Sequence, residues 1–186
     1  NGHDWTDRFP EIARDLRTAG WTDCVLDGEV VALNPQGISD FHKLQRALSD
    51  GQTGGLIYFV FDLLVSDGKD LRSRSLADRR RELREIVGDG LTRVRFSEEI
   101  AGHGASVLEQ ACHLGLEGII SKRSDSLYES GRSTTWVKSK CIKRQEFVVC
   151  GYTTRTGADR ELRAVLLGVY DPEKGLTYAG RAGTGF

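Results

Sequence analysis

Apolar positions recur along this chain with two different periods. In "TDRFPEIARDLRTAG", Phe9, Ile12, Ala13 and Leu16 are spaced to share one helical face, and Gly20 closes the helix as a C-cap. "CVLDGEVVAL" changes to a strand pattern that Asp27 and Glu29 interrupt, and "NPQG" is a turn. "SDFHKLQRAL" predicts a short helix with Ser39 as N-cap and Phe41, Leu44 and Leu48 on one stripe. "GLIYFVFDLLV" is β-branched and aromatic almost throughout, hence a central strand, and "SDGKD" turns after it.

"SLADRRRELREIV" opens on a capping box, Ser75 with Asp78, and offers Leu76, Leu83, Ile86 and Val87 for burial. On this reading its run Arg79–Arg81 is the solvated side. "GASVLEQACHLG" is a further helix and "EGIISKR" a strand. "STTWVKSKC" is extended, so Trp136, Lys138 and Lys140 share one face and Val137 and Ser139 the other. After it come short strands with close turns: "EFVVCGYT", "RAVLLGVY" and "LTYAGRAG", with "YDPEKGLT" as a hairpin connection. The terminal "GRAGTGF" reads as a tight β-turn, since no lysine or helix start follows to make a phosphate loop. A boundary near Lys143–Gln145 divides an α+β domain, 1–143, from the beginning of a small barrel, 144–186.

Composition adds three constraints. The 186 residues are 39% hydrophobic and 28% charged, which suits an ordinary globular chain with one large core. No apolar run is long enough to span a bilayer. The net charge of −1 conceals an asymmetry: residues 132–186 carry +5 and the remainder −6, which suits a polyanion contact at one end. The four cysteines have no metal-ligand spacing and read as reduced, mostly buried thiols of a cytosolic protein. There is no methionine, and the opening "NGHDWTDRF" reads as the start of a fragment.

Candidate chemistry lies where charge breaks apolar strands, because burying a charge costs several kcal/mol unless it is paired or used. Glu29, Asp62, Glu117 with Lys122, and Lys138 with Lys140 are such positions. Separately, each admits a plain explanation: strand caps, or lysines paired with those same glutamates. Together they would suit a nucleotide, with lysines for phosphate, a ring for the base and carboxylates for a ribose hydroxyl and a hard cation.

The ordered set "LDGEVV", "YFVFDLL", "LEGIISKR" and "YESGRSTTWVKSK" resembles the covalent nucleotidyltransferases, and within them the ATP-dependent DNA ligases. The likeness is closest to the ligase module of bacterial multifunctional end-joining ligases and covers essentially the whole chain. It implies a nucleotidyltransferase (adenylation) domain with mixed, mostly antiparallel sheets, followed by the start of an OB-fold barrel. It also implies roles: Glu29 on the ribose, Phe61 on adenine, Glu117 on a divalent cation (Mg²⁺ or Mn²⁺), and Lys138 and Lys140 on the α-phosphate of ATP or its AMP adduct. Lys122 would serve the same phosphate region in second place, and Trp136 would line the pocket.

The implied partner is nicked or broken double-stranded DNA, with fused polymerase or nuclease domains and an end-binding repair protein left open, in a bacterial cytoplasm at the nucleoid. The family's nucleophilic lysine lies in a K-x-D-G motif. None of the seven lysines here is followed by x-Asp/Asn-Gly, so the chain by itself is expected not to adenylate itself. Two other readings compete: an RNA ligase or mRNA-capping guanylyltransferase, and a non-catalytic DNA-binding module.

Overall fold

The computed structural model describes residues 2–131, 133–141, 145–154 and 162–183. A 3₁₀ turn, Thr6–Arg8, leads into α1 (Pro10–Thr18), then β1 (Val25–Val31), α2 (Phe41–Ser49), β2 (Ile57–Ser66) and β3 (Lys69–Asp70). Then follow α3 (Leu76–Val87), β4 (Val94–Phe96), α4 (Gly104–His113), β5 (Gly118–Lys122) and β6 (Trp136–Lys140). β7 (Val148–Thr154), β8 (Leu162–Asp171) and β9 (Gly175–Ala182) complete the chain. Two compact units result, Asn1–Cys141 and Ile142–Phe186. The expected boundary overlaps residues 142–144, which lie outside the described residues.

β2 is central because it is apolar on both sides: Val60 and Leu63 are fully buried. It pairs antiparallel with β1 and β3 and parallel with β4, giving a mixed sheet. Ile12, Ala32, Leu56, Leu71, Leu83, Val87 and Val94 pack with Val60 and Leu63 to form the core. The register slips where Asp27 faces Asp62 but Gly28 faces Val60, which leaves Phe61 bulged between partners. A bulge of this kind re-aims a side chain. Gly28 permits it, since a Cβ there would lie 2.5 Å from the Phe59 carbonyl oxygen.

Several expectations need correction. Asp40, not Ser39, caps α2: its carboxylate accepts from the Lys43 backbone N–H at 2.9 Å. Ser39 is occupied instead in a β-bridge to Leu33, closing the turn before it. Phe41 is 66% exposed, and Leu44 and Ala47 supply the packed face. At α3 the capping box forms as expected, Ser75 Oγ accepting from the Asp78 N–H at 3.2 Å. Yet Arg79 and Arg80 are buried, and of the run only Arg81 faces water.

The cysteine expectation also fails. Cys112 and Cys141 form a disulfide, while Cys24 is half-buried and Cys150 exposed. The Cα atoms of Cys112 and Cys141 lie 5.4 Å apart, within the normal reach of a bridge, because α4 packs beside β5 and Cys141 directly follows β6, the partner strand of β5.

In the second unit β7, β8 and β9 form an antiparallel meander. The Asp171 carboxylate accepts from the Glu173 and Lys174 N–H groups, both at 2.9 Å, and so builds the β8–β9 connection. Gly180, Arg181 and Ala182 continue β9 rather than forming the expected turn, because they pair with β8. Residues 184–186 lie outside the described residues.

Candidate nucleotide site

β5 and β6 form an antiparallel hairpin in which Gly118 faces Lys140, Ile120 faces Lys138 and Lys122 faces Trp136. Directly opposed residues project to the same side, so this face carries Trp136, Lys122, Lys138 and Lys140. At the base of the hairpin Glu117 Oε1 lies 3.0 Å from Lys138 Nζ and 3.8 Å from Lys140 Nζ. The hydrogen bond from Lys138, then the charges of Lys138 and Lys140, hold the Glu117 carboxyl below the ordinary glutamate range. All three side chains remain more than half exposed. Gly118 lets the two strands approach: a Cβ on it would fall 2.2 Å from the Ser139 carbonyl oxygen, and its φ is +155°.

A second cluster lies toward the other end. Lys122 Nζ sits 3.9 Å from the centre of the Phe61 ring and 3.6 Å from that of Trp136. The two rings meet edge to face at 5.8 Å. Burial, then the positive charge of Arg80, pushes the Lys122 ammonium down to about 8, against the pull of Asp62 and Asp27. The Asp27 carboxyl is raised by burial and by Asp62. Lys138 faces Ile120, two residues along β5 from Lys122, or about 7 Å at ~3.3 Å per residue.

Behind these clusters stands a frame that the sequence reading missed. Arg79 grips Asp62 with two hydrogen bonds, 2.7 and 2.8 Å, both side chains fully buried. It also donates to the carbonyls of Arg74 (2.6 Å) and Ser126 (3.4 Å). Arg80 donates to the Phe61 carbonyl at 2.9 Å and to that of Ser97 at 2.7 Å. The first backbone N–H groups of α3, at Leu76 and Ala77, donate to the Ser126 and Ser124 carbonyls. The loop after β5 is thereby fixed to α3, and the backbone of Phe61 to Arg80. A signal for this existed: Asp62 inside an apolar strand needs a buried cation, and Arg79 falls on the Leu76, Leu83, Val87 stripe.

The structure thus brings Glu117 together with Lys138 and Lys140, and Phe61 together with Lys122 and Trp136. Glu29 makes no direct side-chain contact with either group among the described residues. Glu29 is exposed on β1 opposite Phe59, two residues from Asp27, and has no ion pair or side-chain hydrogen bond among the described residues. Two concave surfaces, of about 410 and 280 Å³, lie elsewhere, beside α1 and β1 around Leu16 and Tyr58. On the hairpin face Lys138 and Lys140 are exposed, while Lys122 and Trp136 are half-buried. Among the described residues no three carboxylate, histidine or cysteine side chains gather as a metal cage. One exposed carboxylate beside two exposed lysines has a chemistry that fits Mg²⁺, which commonly takes one or two carboxylates together with substrate oxygens and water.

The profile of one protein family, described as ATP dependent DNA ligase domain, matches residues 1–140. The chain belongs to this family. It is 44% identical, over its whole length, to the multifunctional non-homologous end joining protein LigD of Pseudomonas aeruginosa, and covers 22% of that protein. The corresponding DNA repair protein of Mycobacterium tuberculosis is 33% identical, again over the whole chain, which covers 24% of it. Among solved structures, a mycobacterial DNA ligase D complexed with ATP and MES superposes with a TM-score of 0.65 at 35% identity. All of this chain and 58% of that one are covered. The ligase domain of M. tuberculosis LigD gives 0.63 at 34%, covering 99% of this chain and 58% of that one. The chain therefore spans about a quarter or less of the length of these two curated relatives. The mixed α+β architecture expected from the sequence is that of these neighbours.

Proposed function

We propose that the chain is the nucleotide-handling part of a DNA ligase that uses ATP to seal breaks in double-stranded DNA, through enzyme–AMP and DNA–adenylate intermediates, in end-joining repair. The observation that carries this reading is the exposed pairing of Lys138 and Lys140 with Glu117. Two ammonium groups held in water by one carboxylate can exchange it for phosphate at little cost. With a polyphosphate on the lysines, Glu117 would be the residue free to hold Mg²⁺ or Mn²⁺. Lys138 and Lys140 then neutralise the α-phosphate, Lys122 flanks it, Phe61 and Trp136 offer ring surface to adenine, and Glu29 serves the ribose. Each family step is an in-line displacement at phosphorus: AMP passes to a lysine, then to a 5′-phosphate, and is displaced by a 3′-hydroxyl. Such steps depend on positioning and charge neutralisation. A bound cation would supply further neutralisation of phosphate charge.

Residues 1–141 would be the adenylation domain and the β7–β9 meander the opening of an OB barrel, a fold that commonly binds nucleic acid. The relatives' name, multifunctional end joining protein, fits fused polymerase or nuclease domains and an end-binding partner, working at the bacterial nucleoid.

The test is nick sealing by the full-length protein that carries this chain. Sealing of nicked DNA with ATP is expected; sealing confined to nicked RNA, or dependent on GTP, would overturn the reading. The 186-residue chain by itself, which holds no K-x-D-G lysine, should take no covalent label from radiolabelled ATP and Mg²⁺.

A further inference from the structure

The Cys112–Cys141 disulfide has no role in the chemistry above, yet it encloses it. Its two cysteines stand 29 residues apart, and Glu117, Lys122, Trp136, Lys138 and Lys140 all lie between them. Cys112 belongs to the last turn of α4, and Cys141 directly follows β6 and ends the first compact unit. The Cys141 N–H donates to the Glu117 carbonyl at 2.8 Å, and the Leu116 N–H to that of Ala111 at 3.0 Å. Helix end, connecting turn and hairpin base are thus closed into one covalent ring beside Glu117 and Lys140. Both cysteines are half-buried, so small oxidants and thiols can reach them. Disulfides are rare in reducing cell interiors, and those found there are usually transient or redox-sensing.

We propose that this pair is a redox-controlled positioning bridge for the phosphate-side residues; the proposal rests on the ligase reading. Oxidation locks the base of the hairpin and holds Lys138, Lys140 and Glu117 in productive register, while reduction lets β6 shift. The oxidant is a hydroperoxide. One thiolate attacks it, forming a sulfenic acid and releasing hydroxide; the second thiol displaces that hydroxyl. Two thiols and one H₂O₂ yield one disulfide and two waters. A cellular dithiol reverses the step by exchange, becoming a disulfide itself.

The experiment compares the full-length protein oxidised with peroxide, the same protein reduced with dithiothreitol, and the double variant Cys112→Ser/Cys141→Ser. Adenylation is followed at a temperature where circular dichroism shows every form folded. The oxidised form should adenylate about 3–10-fold faster in kcat with KM for ATP little changed, below the roughly 10²-fold attached to a 1 Å misplacement. The double variant should match the reduced form and ignore peroxide. A bridge that is only structural would move the melting temperature and leave kcat alone. Equal rates in the two states, a faster reduced form, or peptide mapping without a Cys112–Cys141 linkage would each overturn the proposal. Amide exchange at Lys138–Lys140, slower in the oxidised form, decides the matter even if the double variant fails to fold. It also decides if neither state adenylates, a result that would count against the ligase reading instead. Unchanged exchange overturns the bridge.

Discussion

Asp62–Arg79 and Glu117–Lys138 are both carboxylate–cation pairs of the same compact unit, and they serve opposite ends. The first is bidentate, with both side chains fully buried. The second lies on the surface, its side chains 71% and 53% exposed, and Lys140 competes for the same oxygen. A buried pair that loses one member strands a charge without water, so it must stay made. An exposed pair gives up little when a partner is replaced. The difference suits the first pair to scaffold and, on the proposed reading, the second to exchange, and the scaffold pair holds the loop that continues from the hairpin.

The largest effect should come from breaking the buried pair. Arg79→Leu or Asp62→Ala is expected to destabilise the fold by about 3–5 kcal/mol, read from denaturant melts. Glu117→Gln in the same assay should leave the midpoint essentially unchanged, and equal losses at the two sites would erase the distinction. Next come Lys138→Ala and Lys140→Ala. Each should slow adenylation in the full-length protein by roughly 10²–10³-fold, the usual cost of one preorganised electrostatic group, without shifting the melt. Near-normal AMP transfer would remove that lysine from the phosphate.

The smallest effect concerns Lys122. Its folded value of about 8 lies below the ordinary 10.5, so it is charged at neutral pH and loses its proton as pH rises through 8. Between those two values the unfolded chain holds the extra proton, so stability from this group increases with pH. Phosphate binding meanwhile weakens. KM for ATP should rise about 2–5-fold between pH 7 and 9, the worth of one partly exposed charge contact, and stay flat in Lys122→Arg.

Much of this was legible in the chain. The β2 run could only be a central strand, and Ser75 with Asp78 marked the start of α3. The alternation in "WVKSK" placed both lysines and Trp136 on one face, which the register with β5 confirms. Two things escaped. Arg79 and Arg80 looked like solvated charge because a run of arginines usually is, and their burial depends on Asp62 and Phe61 from a strand 17 or more residues away. The disulfide joins cysteines without a telling spacing, brought together only by α4 packing on β5.

Gly118 has a consequence for how this surface could change over generations. The neighbouring strand passes where even a single methyl group would have to sit. Adding one carbon at this chemically inert position would pry the hairpin open between Glu117 and Lys140, displacing the reactive ends without touching them. A residue with nothing to contribute to a reaction can thus leave little room for change beside those that carry it.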